Sequence, residues 1–572
     1  MRIFSGIALA GLLFLSCGPL AAQDSADRPR LAGEGRIILY SLKGLRLVDS
    51  LDRLQKAGFP RPGVTVDGPQ ILYSPGVYQE LQKFLGKPFS SATMQQLTRV
   101  ITAWYTAKNR PFVAVDFPEQ DVSNGIVQAV VTEYRMGGVR VIGNDWFGAG
   151  LARDQISLQR GDVIDTSLLN DDLTWLNQNT YRQVKIVADK SQIEGEMDLE
   201  LQETDRFPFH IFTGFNNGGV PAIGRDQWSA GIEWANAFFL GQDLSYQFTS
   251  SDDFWLQPQN VPVGEGSASF QGHQVSYTIP LPWRDRLVFF GDYDELRPRL
   301  GKFFTQLGIS WQASMRYVLE LPSLPNLTEE AQIGYDFKRS NNNLAFGGAA
   351  ISASSTEIDQ FPVTYNAAIE DGWGRTILFD EFVYSPGGLT GDNTDKAFQP
   401  SQTSSGVMYA HANYIYGDID ATRVTRLPFD ATSILKAQVQ LANSNLLSSE
   451  QLGAGGVESV RGYDERTANG SDGLLLSSEF RSPPTGVIDP LFGTSTGDQL
   501  QFDAFWDFGH VREHKDAPST PNSQTLQSAG AGLHYTLDRF VDLRFEYAWQ
   551  LRKPPGVKKL GSEPYLSLVI GY

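Results

Sequence analysis

From about residue 206 to the end of the chain, apolar and polar residues alternate with a period of two. Clear examples are Gln227–Ala235, Leu244–Ser250, Ile333–Lys338 and Val541–Trp549. A period of two places the two sets of side chains on opposite faces of a β-strand. About 16 such segments follow one another, many of them about 10 residues long, which suits tilted strands that cross a bilayer. The pattern predicts a membrane all-β unit, a 16-stranded antiparallel β-barrel over residues 206–572, although a soluble sandwich also alternates in this way.

The last segment of the chain ends on an aromatic residue. Leu566, Leu568, Ile570 and Tyr572 share one face of this final strand. Such a stripe resembles the C-terminal signal that the barrel-assembly machinery of the outer membrane recognises. It predicts that this machinery and the lipid bilayer are partners of the chain during insertion.

Before residue 206, helix-like and strand-like patterns alternate. They group into two α+β modules at 63–133 and 134–205, each about 70 residues long and large enough for a modest core. The first module is predicted to contain helices at Ser74–Leu85 and Ser91–Lys108 and strands at Pro111–Phe117 and Ile126–Thr132. The second is predicted to contain a strand at Gly138–Ile142, a helix at Thr166–Asn177 and strands at Val184–Ala188 and Met197–Glu203.

A leader at 23–62 precedes the modules. It contains a short helical pattern at Asp49–Ala57, and Leu51 and Leu54 share one face of it with the preceding Val48. We therefore expect a short helix immediately before the first module.

Residues 1–22 have the pattern of a secretory signal peptide. An apolar run from Ile7 to Leu15 is followed by small residues and a cleavage site at Ala22. The alternative is a lipoprotein signal in which Cys17 is lipidated, but Phe14 fits that pattern poorly. Because Cys17 is the only cysteine, cleavage after Ala22 leaves a mature chain without disulfides or thiol chemistry. No later segment has the ~20 uninterrupted apolar residues that a membrane helix needs.

Composition argues against several classes of function. The net charge of −18 argues against nucleic acid as a partner, because phosphate binding needs a basic face. Charged residues make up 20% and aromatic residues 12% of the chain, which suits the strand faces and aromatic girdles of a membrane barrel. The count of His is only 6, and no Ser/His/Asp or metal-ligand spacing stands out. We therefore expect no catalytic residue, no metal and no cofactor.

Two motifs in the predicted barrel and four shorter matches in the modules are similar to one known family. The barrel motifs are Gly455-Gly456-Val457-Glu458-Ser459-Val460-Arg461-Gly462-Tyr463 and Phe505-Trp506-Asp507-Phe508-Gly509. The module matches are Gly86-Lys87-Pro88, Pro118-Glu119-Gln120-Asp121-Val122-Ser123-Asn124-Gly125, Gly143-Asn144-Asp145-Trp146-Phe147 and Gly161-Asp162. With the order of signal peptide, two modules and barrel, the chain resembles the two-partner secretion transporters (TpsB proteins, the haemolysin secretion/activation family). These belong to the BamA-like outer-membrane superfamily.

The resemblance implies a fold and a function. The modules would be POTRA domains in the periplasm, at 63–133 and 134–205, and the barrel would lie in the cell outer membrane. The chain would secrete, and also activate, a cognate exoprotein of haemolysin or adhesin type, without nucleotide hydrolysis. The POTRA domains would bind this partner in extended form. The Val-Arg-Gly-Tyr stretch would be the tip of a sixth extracellular loop that folds back into the barrel.

Residue chemistry also predicts a contact between the two barrel motifs. Residues of about 444–472 form a Gly-rich connection, and structureless loops of this length are uncommon unless they are functional. On the strand that carries the second motif, Phe505, Asp507 and Gly509 point into the lumen if the apolar stripe faces lipid. An inward loop would let Asp507 pair with Arg461 in the bidentate geometry typical of Arg and a carboxylate. Gly509, without a side chain, would leave room for the loop.

We therefore predict a clasp between loop and barrel that gates the pore as a conformational element. Its residues are Val460, Arg461, Gly462, Tyr463, Phe505, Asp507 and Gly509. The alternative for Arg461 is an exposed loop arginine, whose ion pair would contribute only ~0–1 kcal/mol. Asp542 and Glu546 are interpreted as ordinary polar lumen residues.

Three other functions compete with secretion. An insertase that helps other barrels into the membrane is the main alternative, although such superfamily members usually carry more POTRA modules. A plain porin leaves the two modules unexplained. An enzyme lacks any recognisable set of catalytic residues.

Overall fold

The computed structural model describes residues 37–256, 268–298, 304–322, 324, 326–346, 349–352, 355–400, 406–493, 496–516, 522–554 and 559–572. The predicted signal peptide (1–22) and the first part of the predicted leader (23–36) lie outside the described residues. The chain divides into two compact units, and the division falls between Phe207 and Pro208.

The first unit consists of two α+β modules. The elements of the first module are Ile37–Leu39 (β1), Gly44–Val48 (β2), Gly63–Asp67 (β3), Pro75–Gln82 (α1), Phe89–Ser90 (β4), Ser91–Thr106 (α2), Val113–Asp116 (β5) and Ile126–Glu133 (β6). Those of the second are Arg135–Ile142 (β7), Ala149–Arg153 (α3), Thr166–Leu176 (α4), Arg182–Lys190 (β8) and Glu196–Asp205 (β9). Helix α2 begins where the Ser90 hydroxyl accepts a hydrogen bond from the Thr93 backbone N–H at 3.3 Å, which caps the helix.

Each module folds one main sheet against its helices, and in the first module β1 and β4 form an additional two-stranded sheet. The first sheet has the order β3-β2-β6-β5, in which β2 runs parallel to both β3 and β6. The second has the order β7-β9-β8. Apolar side chains from the helices and the sheet form a separate core in each module, and burial of these side chains is the main term that stabilises each one.

The predicted leader differs from the structure. Strand β2 lies in the middle of the first sheet and all five of its residues are buried, so the first module begins well before residue 63. The expected helix at Asp49–Ala57 is only a single 3-10 turn at Leu51–Arg53, and Leu51 is exposed. One helical turn fixes several backbone dihedrals for very few hydrogen bonds, and here the turn buries none of its residues, so it does not grow into a helix.

The second unit is built of antiparallel strands. They are Phe209–Asn216 (β10), Gln227–Ala237 (β11), Gln242–Ser251 (β12), Phe270–Pro280 (β13), Arg286–Leu296 (β14), Phe304–Glu320 (β15), Leu327–Phe346 (β16), Ala349–Ser352 (β17), Ser355–Asp371 (β18), Gly374–Ser385 (β19), Tyr414–Arg426 (β20), Thr432–Ala442 (β21), Leu452–Ala454 (β22), Ala468–Gly470 (β23), Asp472–Arg481 (β24), Asp498–Arg512 (β25), Ser523–Leu537 (β26), Val541–Gln550 (β27) and Ser562–Gly571 (β28). Short helices lie at Asp253–Leu256 (α5), Asp395–Phe398 (α6) and Ile488–Phe492 (α7).

The strands close into a barrel because β10 pairs with both β11 and β28. Strand β17 is a short addition to β16, which also pairs directly with β18. Strands β22 and β23 pair only with each other, outside the barrel wall. The remaining strands form a closed 16-strand antiparallel barrel, which confirms the predicted fold class.

Apolar side chains cover the outside of the barrel. On β25, Phe502 is 59% exposed, whereas its neighbour Asp503 and the lumenal Asp507 are buried. Residues of one strand face lipid and lumen in turn, so an exposed aromatic residue on a barrel strand belongs to the lipid face. None of the helices in the described part of the chain combines the length and the hydropathy needed to cross a bilayer.

The strand directions distinguish the two ends of the barrel. Strand β10 begins and β28 finishes at the same end, which we call the base. Because neighbouring strands alternate in direction, the connection from β21 to β24 lies at the opposite end, which we call the rim. Residues 443–471 of this connection form the inward loop described next.

Candidate functional site

The inward loop (443–471) leaves β21 at the rim and turns back into the barrel. The β22–β23 hairpin forms its stem, and Gly455 at the end of β22 has φ +108°, which glycine adopts without steric cost. At the tip, Val460 and Tyr463 are buried and Arg461 is only 4% exposed. A surface loop would leave such an arginine in water, so the barrel encloses this tip.

Asp507 on β25 binds both the side chain and the backbone of Arg461. Arg461 Nε donates to Asp507 Oδ2 at 2.8 Å and Nη2 donates to Oδ1 at 2.9 Å, which makes a bidentate pair. The Arg461 backbone N–H also donates to Oδ2 at 3.1 Å. The Ser477 hydroxyl on β24 donates to Oδ1 at 2.7 Å. The structure thus brings these two predicted residues into direct contact, and protein donors satisfy the carboxylate.

Two further carboxylates surround the same guanidinium. Arg461 Nη1 donates to Glu479 Oε2 on β24 at 3.0 Å and to Glu546 Oε1 on β27 at 2.9 Å. The interpretation of Glu546 as an ordinary lumen residue is therefore wrong. Asp542, four residues earlier on the same strand, is half-exposed and pairs with His534 at 3.0 Å. The alternating pattern gives both acidic residues the same face, and only the depth of the loop tip distinguishes them.

The charges of this site are balanced by neighbouring arginines. Arg544 on β27 pairs with Glu546 at 2.6 Å, and Arg481 on β24 pairs with Glu479 at 2.7 Å. Burial on its own lowers the pKa of Arg461, but the bonded Asp507 carboxylate, together with the charges of the two glutamates, raises this pKa above its ordinary value. Arg461 is therefore charged at every physiological pH.

The aromatic and glycine residues of the second motif fit closely against the loop. The Arg461 guanidinium lies 3.4 Å from the centroid of the Phe505 ring, a cation–π contact in a site screened from water. A Cβ at position 509 would lie 2.8 Å from Val460 Cγ2 and 3.1 Å from Ala454 Cβ. Gly509 therefore permits the approach of loop and wall.

The last strand holds the backbone of the tip. The Gly462 backbone N–H donates to the Tyr565 hydroxyl at 2.8 Å, and this hydroxyl donates to the Tyr463 carbonyl at 3.0 Å. Gln550 Nε2 on β27 donates to the Gly462 carbonyl at 2.6 Å. The Tyr463 hydroxyl donates to the Gln527 carbonyl on β26 at 2.8 Å. Hydrogen bonds from β24 to β28 therefore hold the tip in one orientation.

The predicted C-terminal residues lie on the outer face of β28 and, for Tyr572, directly after it. Leu566, Ile570 and Tyr572 are exposed, and Leu568 is partly exposed between them. The backbone N–H of Tyr572 donates to the Ile211 carbonyl on β10 at 2.9 Å, where the barrel closes. Their role as an assembly signal stays a prediction.

Sequence reasoning missed several residues of the site. They are Ser477, Glu479, Gln527, Gln550 and Tyr565. A signal for two of them existed, because Glu479 alternates with the outward Phe480 and Tyr565 with the outward Leu566. Which lumenal residues meet the tip depends on how deep the loop reaches, and no periodicity carries that information. Across the described residues, no group of three or more His, Cys, Asp or Glu is arranged to hold a metal ion.

Family models match both parts of the chain. The model described as haemolysin secretion/activation protein ShlB/FhaC/HecB matches residues 195–535, more than half of the 572 residues. The chain belongs to this haemolysin secretion/activation family. The model of the POTRA domain, ShlB-type, matches residues 59–133, which identifies the first module as a POTRA domain.

Known relatives have low sequence identity to this chain but align with most of its length. The heme/hemopexin transporter protein HuxB of Haemophilus influenzae (strain 86-028NP) is 21% identical over 471 residues, which are 80% of this chain and 77% of HuxB. The outer membrane transporter CdiB of Dickeya dadantii (strain 3937) is 23% identical over 478 residues, with 81% and 77% covered. The chain is thus an outer-membrane transporter for the secretion of a partner protein, and its family is one of transporters rather than enzymes.

Solved structures support the fold. CdiB from Escherichia coli superposes with a TM-score of 0.69 at 17% identity, covering 96% of this chain and 93% of that one. BamA from Haemophilus ducreyi lacking POTRA domains 1–3 superposes with a TM-score of 0.51 at 14% identity, covering 88% and 98%. At these identities the likeness shows the arrangement of the fold alone.

Proposed function

We propose that this transporter passes one extended exoprotein through its barrel lumen, and that the inward loop is the gate. The observation that carries the proposal is the enclosed Arg461, which ties the loop tip to β24, β25 and β27 inside the lumen. A chain that crosses the lumen has to displace this tip. The clasp of Val460, Arg461, Gly462 and Tyr463 with Phe505, Asp507 and Gly509 then acts as a two-state element, not as a catalyst.

In this proposal the base of the barrel faces the periplasm, and both modules are periplasmic. An extended polypeptide binds a sheet by adding a strand to an open edge. Strands β3 and β5 are the edges of the first sheet, and β7 and β8 are those of the second. These edges are candidate sites for an exported partner of haemolysin or adhesin type.

The proposed transport needs no nucleotide. Folding of the partner outside the cell would supply direction and would yield the active exoprotein. The barrel-assembly machinery would act only once, during insertion of the transporter, where Leu566, Leu568, Ile570 and Tyr572 are the proposed signal.

Deletion of the gene tests this function against the insertase alternative. We expect loss of one large exoprotein from the cell surface, measured by surface proteomics, while the levels of other barrels stay unchanged. A broad fall in barrel levels, with no single exoprotein lost, would identify an insertase instead.

A further inference from the structure

The first limb of the inward loop (443–451) carries a buried carboxylate that the tip motif does not use. Glu450 is only 4% exposed. Lys338 Nζ on β16 donates to its two oxygens at 2.9 and 3.1 Å, and the Tyr416 hydroxyl on β20 donates to Oε2 at 3.0 Å. Hydrogen bonds between charged groups are about twice as strong as neutral ones. The limb is therefore tied to β16, although β18, β19 and β20 lie between β16 and β21 in the barrel.

The wall around Lys338 is held by contacts among barrel strands. Arg316 on β15 forms a bidentate pair with Asp336 on β16 at 2.6 and 3.1 Å. Gln360 Nε2 on β18 donates to the same carboxylate at 3.1 Å. These partners all belong to barrel strands, so Asp336 is already satisfied. Glu450 from the loop is the carboxylate that binds Lys338 directly.

Apolar packing shields this contact. Leu446 and Leu447 of the same limb are buried in a cluster with Ile358, Tyr414 and Phe398, the last from helix α6. The cluster covers the limb at the rim and excludes water from the side of Glu450. Water exclusion strengthens the ion pair relative to a pair on the surface.

The two buried charged residues of the loop, Glu450 and Arg461, bind different parts of the wall. Arg461 follows Glu450 by 11 positions, and an extended chain of that length reaches at most about 36–40 Å. The loop offers a cation to the acidic site on β24, β25 and β27, and an anion to Lys338 on β16. Exchange of the two sites is unfavourable because the acidic tip site would repel Glu450 and Lys338 would repel Arg461.

We propose that Glu450 is a second positioning residue of the gate, which Lys338 and Tyr416 hold independently of the Arg461 tip. The pore opens fully only when both attachments are released. This inference rests on the proposed gating role of the inward loop.

The test measures opening of the full-length mature protein in planar lipid bilayers. The variants are Glu450→Gln, Lys338→Met, Arg461→Ala and the doubles Glu450→Gln/Arg461→Ala and Glu450→Gln/Lys338→Met. Glu370→Gln is the matched control, since Glu370 is an exposed carboxylate at the base end of β18. Heat-dependent migration in gels shows that each variant contains a folded barrel.

We expect Glu450→Gln and Lys338→Met each to raise the ratio of open to closed pores about tenfold, within the range by which one contact site commonly biases a conformational equilibrium. The Glu450→Gln/Lys338→Met double should resemble either single variant, because both changes break one pair. The Glu450→Gln/Arg461→Ala double should show the product of the two single effects, as independent sites do.

Two results would overturn the inference. In the first, Glu450→Gln behaves like Glu370→Gln while Arg461→Ala opens the pore, so that the gate exists but has no second attachment. In the second, the Glu450→Gln/Arg461→Ala double opens no more than Arg461→Ala, so that Glu450 acts only through the tip. If Arg461→Ala itself leaves opening unchanged, the gating role of the loop fails and the second attachment fails with it.

Discussion

The inward loop is attached to the barrel in two places that differ in charge and in strength. At the tip, Arg461 from the loop lies among three carboxylates of the wall. On the first limb, Glu450 from the loop meets one cation and one hydroxyl. The tip is enclosed, with the Arg461 side chain 5% exposed, whereas the Lys338 side chain is 21% exposed. Separation therefore costs more free energy at the tip, where it would leave charges unpaired in a dry site, than on the limb.

Removal of Arg461 tests this difference with the largest expected effect. Arg461→Ala leaves Asp507, Glu479 and Glu546 together without their shared cation, and loss of one partner of a buried pair costs about 3–5 kcal/mol. We expect that fall in the free energy of unfolding of the full chain, measured by urea titration in detergent. Arg539→Ala, in an exposed turn, is the control and should change the value by less than about 0.5 kcal/mol. Equal effects of the two changes would show that the tip is not held by charge.

Glu546 and Asp542 lie on the same face of β27, but only Glu546 contacts the loop tip. Glu546→Gln weakens the hydrogen bonds to Arg461 and Arg544, and we expect a loss of about 1.5–3 kcal/mol, typical of bonds to charged groups. Asp542→Asn on the same strand changes a half-exposed pair and should cost about 0–1 kcal/mol. The same urea titration compares them. A larger effect at Asp542 would contradict the assignment of Glu546 to the tip site.

Gly509 tests how closely the loop approaches the wall. Gly509→Ala puts a methyl group 2.8 Å from Val460 Cγ2, and overpacking of this kind costs about 1–3 kcal/mol. The added change Val460→Ala removes the clashing methyl and should restore most of the lost stability. If the second change brings no recovery, the clash is not the cause.

The smallest effect is expected at the last strand. Tyr565→Phe removes one hydroxyl that binds the backbone of Gly462 and Tyr463, a loss of about 1 kcal/mol. Tyr384→Phe on the outer face is the control and should have no measurable effect on unfolding. A Tyr565→Phe protein as stable as this control would show that the tip is not anchored to β28.

Sequence periodicity predicted the barrel and its faces well, because every strand that crosses a bilayer turns an apolar side chain to the lipid at every second position. Asp507 and Phe505 fall on the lumenal face by counting from Phe502. The leader was misjudged because β2 is a short buried strand without alternation, and its burial depends on β3 and β6 from far along the chain.

The two attachments of the loop also differ in how visible they are in the sequence. Arg461 and Asp507 lie in motifs, so their contact was predicted. Glu450 and Lys338 are 112 positions apart and lie in no motif. Their contact depends on the path of the loop across the lumen, which local patterns do not encode.

A reversible crosslink between loop and wall tests whether the tip has to leave the wall for transport. Val460→Cys with Gly509→Cys places two cysteines where the side chains approach closely, and the predicted mature chain has no other cysteine. Secretion of the exoprotein is then measured in the same cells before and after a reductant is added. We expect the oxidised protein to secrete nothing and the reduced protein to secrete normally. Full secretion by the oxidised, crosslinked protein would contradict this expectation.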